Sequence, residues 1–159
     1  MRVLLALALL VIGSPALVAG QRISLTVTGF PITFPTPTGA DFAAGYIESP
    51  APTTFTVDAL TGSVQLLRTT TVSVRCRTPC PATGSKPAGT LQWRRADQAT
   101  WHTLTTTDTP VETRQVQRMR SNDPWSNSIY WRFLLDWGSD PPGPLSRFDI
   151  IVTLTVTSP

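Results

Sequence analysis

Between Ser128 and Thr157 the chain alternates apolar and polar residues twice, with one interruption. In the first run Ile129, Trp131, Phe133, Leu135 and Trp137 recur at every second position. In the second, Phe148, Ile150, Val152, Leu154 and Val156 do so, with Arg147, Asp149, Thr153 and Thr155 opposite. Successive side chains of a strand point to opposite faces, so a period of two over this length predicts half-buried antiparallel strands. Between the runs, Gly138–Pro144 holds three prolines, which lack the N–H that a ladder needs. The pair is therefore expected to form a long hairpin closing an all-β domain.

The same period recurs upstream. Ile23, Leu25 and Val27 alternate in the first mature residues, and Phe55 and Val57 in TTFTVDA. Ser63–Cys76 carries Val64 and Leu66, then Val72, Val74 and Cys76, which predicts two strand portions broken near Arg68-Thr69-Thr70. Leu91–Arg95 and Thr100–Thr106 are expected to be joined by a turn at Ala96–Ala99, with Trp101 and Leu104 inward and His102 outward. Val111–Met119 is a polar strand, and Arg120–Asn127 a loop. Ala40–Ile47 is the one stretch able to hold a helical turn, and Gly45 counts against even that. Seven to nine short strands separated by turn signals predict one antiparallel β-sandwich. The order of a strand bearing Cys76, a loop, and a strand with an inward Trp93 also occurs in immunoglobulin-like domains. The expected core is Ile23, Leu25, Val27, Phe55, Val57, Val72, Val74, Leu91, Trp93, Trp131, Phe133, Leu135, Ile150, Val152 and Leu154.

The first twenty residues stand apart. Arg2, the apolar run Val3–Ile12 and the small residues at Ala16–Gly20 have the three parts of a secretory signal peptide. Residues 1–20 are expected to be removed, leaving 21–159 as a single domain, although cleavage after Ala19 fits as well. The apolar run is short of the roughly 20 residues that span a bilayer, so no integral membrane segment is expected afterwards. The protein is then periplasmic, cell-surface or extracellular. In an oxidising compartment Cys76 and Cys80 are expected to form a local disulfide that pins a turn. The chain's formal net charge is only +3, and no dense basic run supports a nucleic-acid partner.

Catalytic residue types are sparse. His102 is the single histidine, and no G-x-S-x-G elbow is present. Asp97, Asp123, Asp136 and Asp140 leave open a hydrolase with a carboxylate pair, the weakest of three readings. Asp136 and Asp140 with Ser139 suit a turn better than calcium, which takes six or more oxygens. No metal and no cofactor are expected, and the chain is read as a non-enzyme. A second reading is a carbohydrate-binding module. Trp125 in a polar loop, with Asn122, Asp123 and Asn127, can stack on a sugar and bond its hydroxyls. The first reading is a structural or interaction protein. Ile23, Leu25 and Val27 lie at the mature N-terminus and can pack at home or complete a neighbour's sheet.

The chain's ending, Pro142-Gly143-Pro144-Leu145-Ser146-Arg147-Phe148-Asp149 running into Ile150–Thr157, resembles small secreted bacterial subunits of the spore-coat-protein-U and fimbrial type. In those a Pro-Gly turn feeds a last strand of alternating valines and threonines. The resemblance implies an immunoglobulin-like fold and a place in a surface structure such as a fibre. Its partners would be further copies or other surface proteins, and it brings no catalytic residues.

Overall fold

Nine strands form two antiparallel sheets in a computed structural model that describes residues 23–59, 63–80, 86–120, 124–140 and 150–157. The expected signal peptide lies outside these residues. In chain order the strands are β1 (Ile23–Thr28), β2 (Tyr46–Glu48), β3 (Thr53–Ala59), β4 (Ser63–Cys76), β5 (Leu91–Arg95), β6 (His102–Thr103), β7 (Thr109–Arg120), β8 (Trp125–Leu134) and β9 (Val152–Thr157). One sheet runs β1-β3-β8-β5-β6, with β2 also on β8; the other runs β7-β4-β9. The all-β sandwich expected from the alternation is what the chain forms.

The final hairpin is not. β8 pairs with β3, β2 and β5, whereas β9 pairs with β4 in the other sheet, Val72 opposite Val156 and Val74 opposite Leu154. Alternation fixes which residues face the core; it does not name the neighbouring strand. Two further expectations change. β4 is one continuous strand whose ladder with β7 is irregular between Gln65 and Arg68, in place of a break. The helical turn does form: α1 (Gly39–Ala44) starts at a Thr38 capping box with Asp41 and stops at Gly45, whose φ of 78° is left-handed. Gly45 ends the helix because that conformation costs glycine little.

β2 and β3 lie along the same side of β8, opposite β5. Tyr46 pairs with Leu134 and Thr53 with Ile129, so Ser49–Pro52 is an excursion between two parts of one strand line. The two prolines there cannot donate to β8. Ser49 keeps the link, its N–H donating to the Trp131 carbonyl at 3.0 Å.

Odd-numbered residues of β8 face inward. Ile129, Trp131 and Phe133 pack with Leu91 and Trp93 of β5, Phe55 and Val57 of β3, and Val72, Val74 and Cys76 of β4. Trp93 and Trp131 are direct cross-strand partners, 1% and 0% exposed, and form the centre of the sandwich. Burial of each aliphatic side chain in this set contributes about 1.5–3 kcal/mol. Ile23, Leu25, Val27, Ile150, Val152 and Leu154 pack against the core half-buried. Phe42, Ile47, Leu104, Val111 and Trp125 complete it from positions outside the expected set.

Candidate functional site

Three of the four carboxylates singled out in the sequence, Asp97, Asp136 and Asp140, are engaged structurally. Asp136 and Asp140 share one turn: the Asp136 N–H donates to Asp140 Oδ2 at 2.8 Å, and Lys86 Nζ donates to the same oxygen at 2.6 Å. Asp140 is 3% exposed, and its Oδ1 has no hydrogen-bond partner among the described residues. Asp136 accepts from the Gly138 N–H and the Ser139 hydroxyl, which hold its carboxyl below the usual range. An ammonium already lies on Asp140 Oδ2, and both Asp136 oxygens accept hydrogen bonds within the turn. Asp97 lies on the β5–β6 turn, where the Arg95 guanidinium donates to it and lowers its pKa. Asp123 lies outside the described residues, as does Asn122. No group of three or more His, Cys, Asp or Glu able to hold a metal is present among the described residues.

Trp125 requires a correction. It opens β8 instead of sitting in a loop, and it is 8% exposed. Its ring meets Phe55 edge-on at 5.8 Å, and the Arg114 guanidinium covers it at 4.6 Å. Odd parity on β8 turns it inward with Ile129 and Trp131. Asn127 is likewise committed, its Nδ2 donating to Glu112 Oε2 at 2.8 Å and its Oδ1 accepting from the Ser128 N–H. The sugar platform expected at Trp125 is therefore a wall of the core. The sequence also placed Trp137 on the inner face. β8 ends at Leu134, and the following turn leaves Trp137 64% exposed, stacked on Phe42 of α1 at 4.4 Å.

The expected parity of Trp101 and His102 is reversed too. His102 stacks on the buried Trp93 at 4.7 Å, and Trp101 lies over the outer face. There it joins a ladder that no sequence pattern had suggested. The Arg94 guanidinium lies 4.6 Å from the Tyr130 ring and 5.1 Å from Trp101; Arg132 lies 4.5 Å from Trp101 and 5.0 Å from Tyr46. The order is Tyr130, Arg94, Trp101, Arg132, Tyr46. β-Pairing builds it: Arg94 is opposite Tyr130, Gln92 opposite Arg132, and all four are outward positions. Arg132 Nε donates to Gln92 Oε1 at 2.7 Å, and Arg94 Nη1 to the Gln98 carbonyl at 3.3 Å. Beside the ladder on the same face, hydroxyls pair across β3 and β8, Thr54 with Ser128 at 3.0 Å and Thr56 with Ser126 at 2.9 Å.

The candidate exchange strand, β1, pairs with β3 alone among the described residues. Six residue pairs run from Ile23–Ala59 to Thr28–Thr54. Ile23, Leu25 and Val27 point to the core but stay half-buried, and the Ser24 hydroxyl donates to the Asp58 carbonyl at 3.3 Å. After it, Gly29 has a left-handed φ of 86° with Pro52 O 2.5 Å from where a Cβ would stand, so only glycine fits. Phe30 is exposed beyond it.

The cysteines behave as expected. Cys76, fully buried at the end of β4, is bonded to Cys80 with a Cα–Cα separation of 6.0 Å, inside the normal disulfide range.

No protein-family model, curated protein or solved structure matches the chain. No helix among the described residues is long and apolar enough to cross a membrane. The surfaces themselves therefore carry the functional reading. Of these, the ladder is the one that sequence reasoning missed. Its only trace was an arginine or aromatic residue at alternate outward positions, Arg94, Tyr130 and Arg132, and the strands that bring them together are distant in sequence.

Proposed function

We propose that this chain is a non-catalytic, exported structural or interaction protein, immunoglobulin-like in kind, and that it assembles with copies of itself through β1. The observation that carries the reading is the placement of β1: an edge strand that pairs with β3 alone among the described residues. The expected signal cleavage would leave it at the N-terminus. A strand so placed can leave its own sheet and occupy the same cleft beside β3 of another copy. Backbone bonds give the affinity there, and Leu25 and Val27 fill the places above Val57 and Phe55. Reciprocal exchange closes a dimer; head-to-tail exchange gives an open fibre. Gly29 is the pivot, and the resemblance of the C-terminal strand to fimbrial-type subunits points the same way.

The test is light scattering after size-exclusion chromatography of the 21–159 chain, with negative-stain microscopy of each peak. Polymers that vanish on deletion of residues 21–28 support the reading. A Thr26→Cys/Thr56→Cys variant tethers β1 to β3 without removing it, those two being cross-strand partners. Polymers that persist in the tethered variant, or a wild-type monomer at every concentration, overturn strand exchange.

A further inference from the structure

The outer face of the six-stranded sheet offers a second surface, independent of β1. We infer that the ladder centred on Trp101 is a docking surface for an acidic segment of a partner protein, with Arg94 and Arg132 as the anchors.

Charge is the first reason. On Arg75, Arg95 and Arg114 a carboxylate lies within 4.0 Å. Arg94 and Arg132 have none among the described residues. Their hydrogen bonds go to neutral oxygens and their planes to aromatic rings. Glu48 is the direct cross-strand partner of Arg132, yet no ion pair forms between them. Two positive charges thus lie on one half-buried patch with Glu48 beside it, yet neither is ion-paired among the described residues. Arg77, also without a carboxylate among the described residues, is on the disulfide loop and exposed, so it lacks the order that the ladder imposes.

Order is the second reason. Each guanidinium lies over two rings, which fixes side chains that would otherwise lose rotamer freedom on binding. Stacking occupies the flat faces of a guanidinium and leaves its N–H edges for acceptors. On Arg132 both Nη groups, and on Arg94 the Nε and Nη2, make no hydrogen bond among the described residues. Such a fork matches a carboxylate with two parallel N–H···O bonds. Arg, Trp and Tyr are also the side chains that dominate binding energy at protein interfaces.

The same geometry disfavours a sugar here. Carbohydrate recognition uses an open ring face, and the Trp101 ring already carries two guanidiniums. A sheet face bordered by paired hydroxyls suits a protein segment, with carboxylates on the arginines and its backbone on the Thr54–Ser128 rim.

The experiment titrates the 21–159 protein with a synthetic twelve-residue Glu-rich peptide, its Lys-rich counterpart and oligogalacturonate, reading the Trp101 indole N–H and arginine Nε–H signals by NMR. The Glu peptide is expected to shift Trp101, Arg94 and Arg132 and to weaken as salt is raised. The Arg94→Lys/Arg132→Lys variant keeps both charges but loses the forks, and its affinity is expected to fall about tenfold or more, at least about 1.4 kcal/mol. Its unchanged far-ultraviolet circular dichroism would show that the fold survives. Trp101→Phe, which retains a ring, serves as a second variant if the double one unfolds and is expected to weaken the peptide less. Absence of Glu-peptide binding, binding undiminished in the variants, or tighter binding of oligogalacturonate with the same shifts would each overturn the inference.

Discussion

Trp131 Nε1 donates a 2.9 Å hydrogen bond to Thr53 Oγ1, and neither residue has any exposed surface. The bond ties the central strand β8 to the first residue of β3, just where the chain resumes its ladder after Pro50 and Pro52. Thr53→Val keeps the shape and removes the acceptor, stranding an indole N–H in the core. A loss of about 1–3 kcal/mol is expected, read from the urea midpoint. In Thr53→Val/Trp131→Phe the stranded donor is also gone, so the double variant should lose less than the sum of its parts. Strict additivity would mean that the bond contributes nothing.

The ladder predicts a stability effect separate from any partner. Trp101→Ala removes two cation–ring contacts, each about 0.5–1 kcal/mol at a partly exposed site. Arg94→Ala made in the Trp101→Ala background should cost less than in the wild type. Equal costs in the two backgrounds would show Arg94 and Trp101 to be uncoupled.

Trp125 and Trp137 exchange the exposures that their sequence contexts suggest. Trp137→Phe is therefore expected to remove most of the iodide-quenchable tryptophan fluorescence, and Trp125→Phe little of it. Trp137→Ala should lower stability only slightly, because its ring lies mainly in solvent. Trp125→Ala opens a core void and should cost about 3–5 kcal/mol. A polysaccharide screen belongs with the Trp137 variant, since that ring is the large hydrophobic left most exposed among the described residues.

Cys80→Ser is expected to destabilise the protein by about 2 kcal/mol at most, the chain-entropy value for so short a loop. Reductant should lower the melting temperature of the wild type and leave that of Cys80→Ser unchanged. A reductant effect in the variant would place the sensitivity elsewhere.

Below the usual aspartate range the capping box on α1 should open. The Thr38 hydroxyl and N–H donate to Asp41 and depress its folded pKa, so the stabilisation is present above the unfolded value of 3.8 and is lost as pH falls through the folded one. Amide exchange across 38–45 is the readout. Asp41→Asn should make the segment pH-independent over that window; an unchanged acid transition there would remove Asp41 from the account.

Period-two alternation in the sequence sufficed for β1, β3, β5 and β9, for the inward set Ile129, Trp131, Phe133 and Leu135, and for the sandwich class, because strand geometry ties sequence parity to face. The close spacing of Cys76 and Cys80, taken with the expected export, anticipated their bond. Parity holds only while the strand lasts, however. Trp137 fell off the inner face because β8 had already ended, and Trp125 joined it because β8 began earlier than its Pro124 context suggested.

Pairing was settled by tertiary structure alone. β8 and β9 carry matching patterns, yet one is central to the six-stranded sheet and the other borders β4. Any two alternating strands are compatible locally, and the choice lies in how both sheets together enclose Trp93 and Trp131. The Arg94–Trp101–Arg132 ladder follows from that choice. Its members come from four segments and meet because the register of β5 on β8 and of β2 on β8 sets outward side chains side by side. A one-dimensional pattern tells a residue which way to face; only the assembled sheet decides what stands beside it.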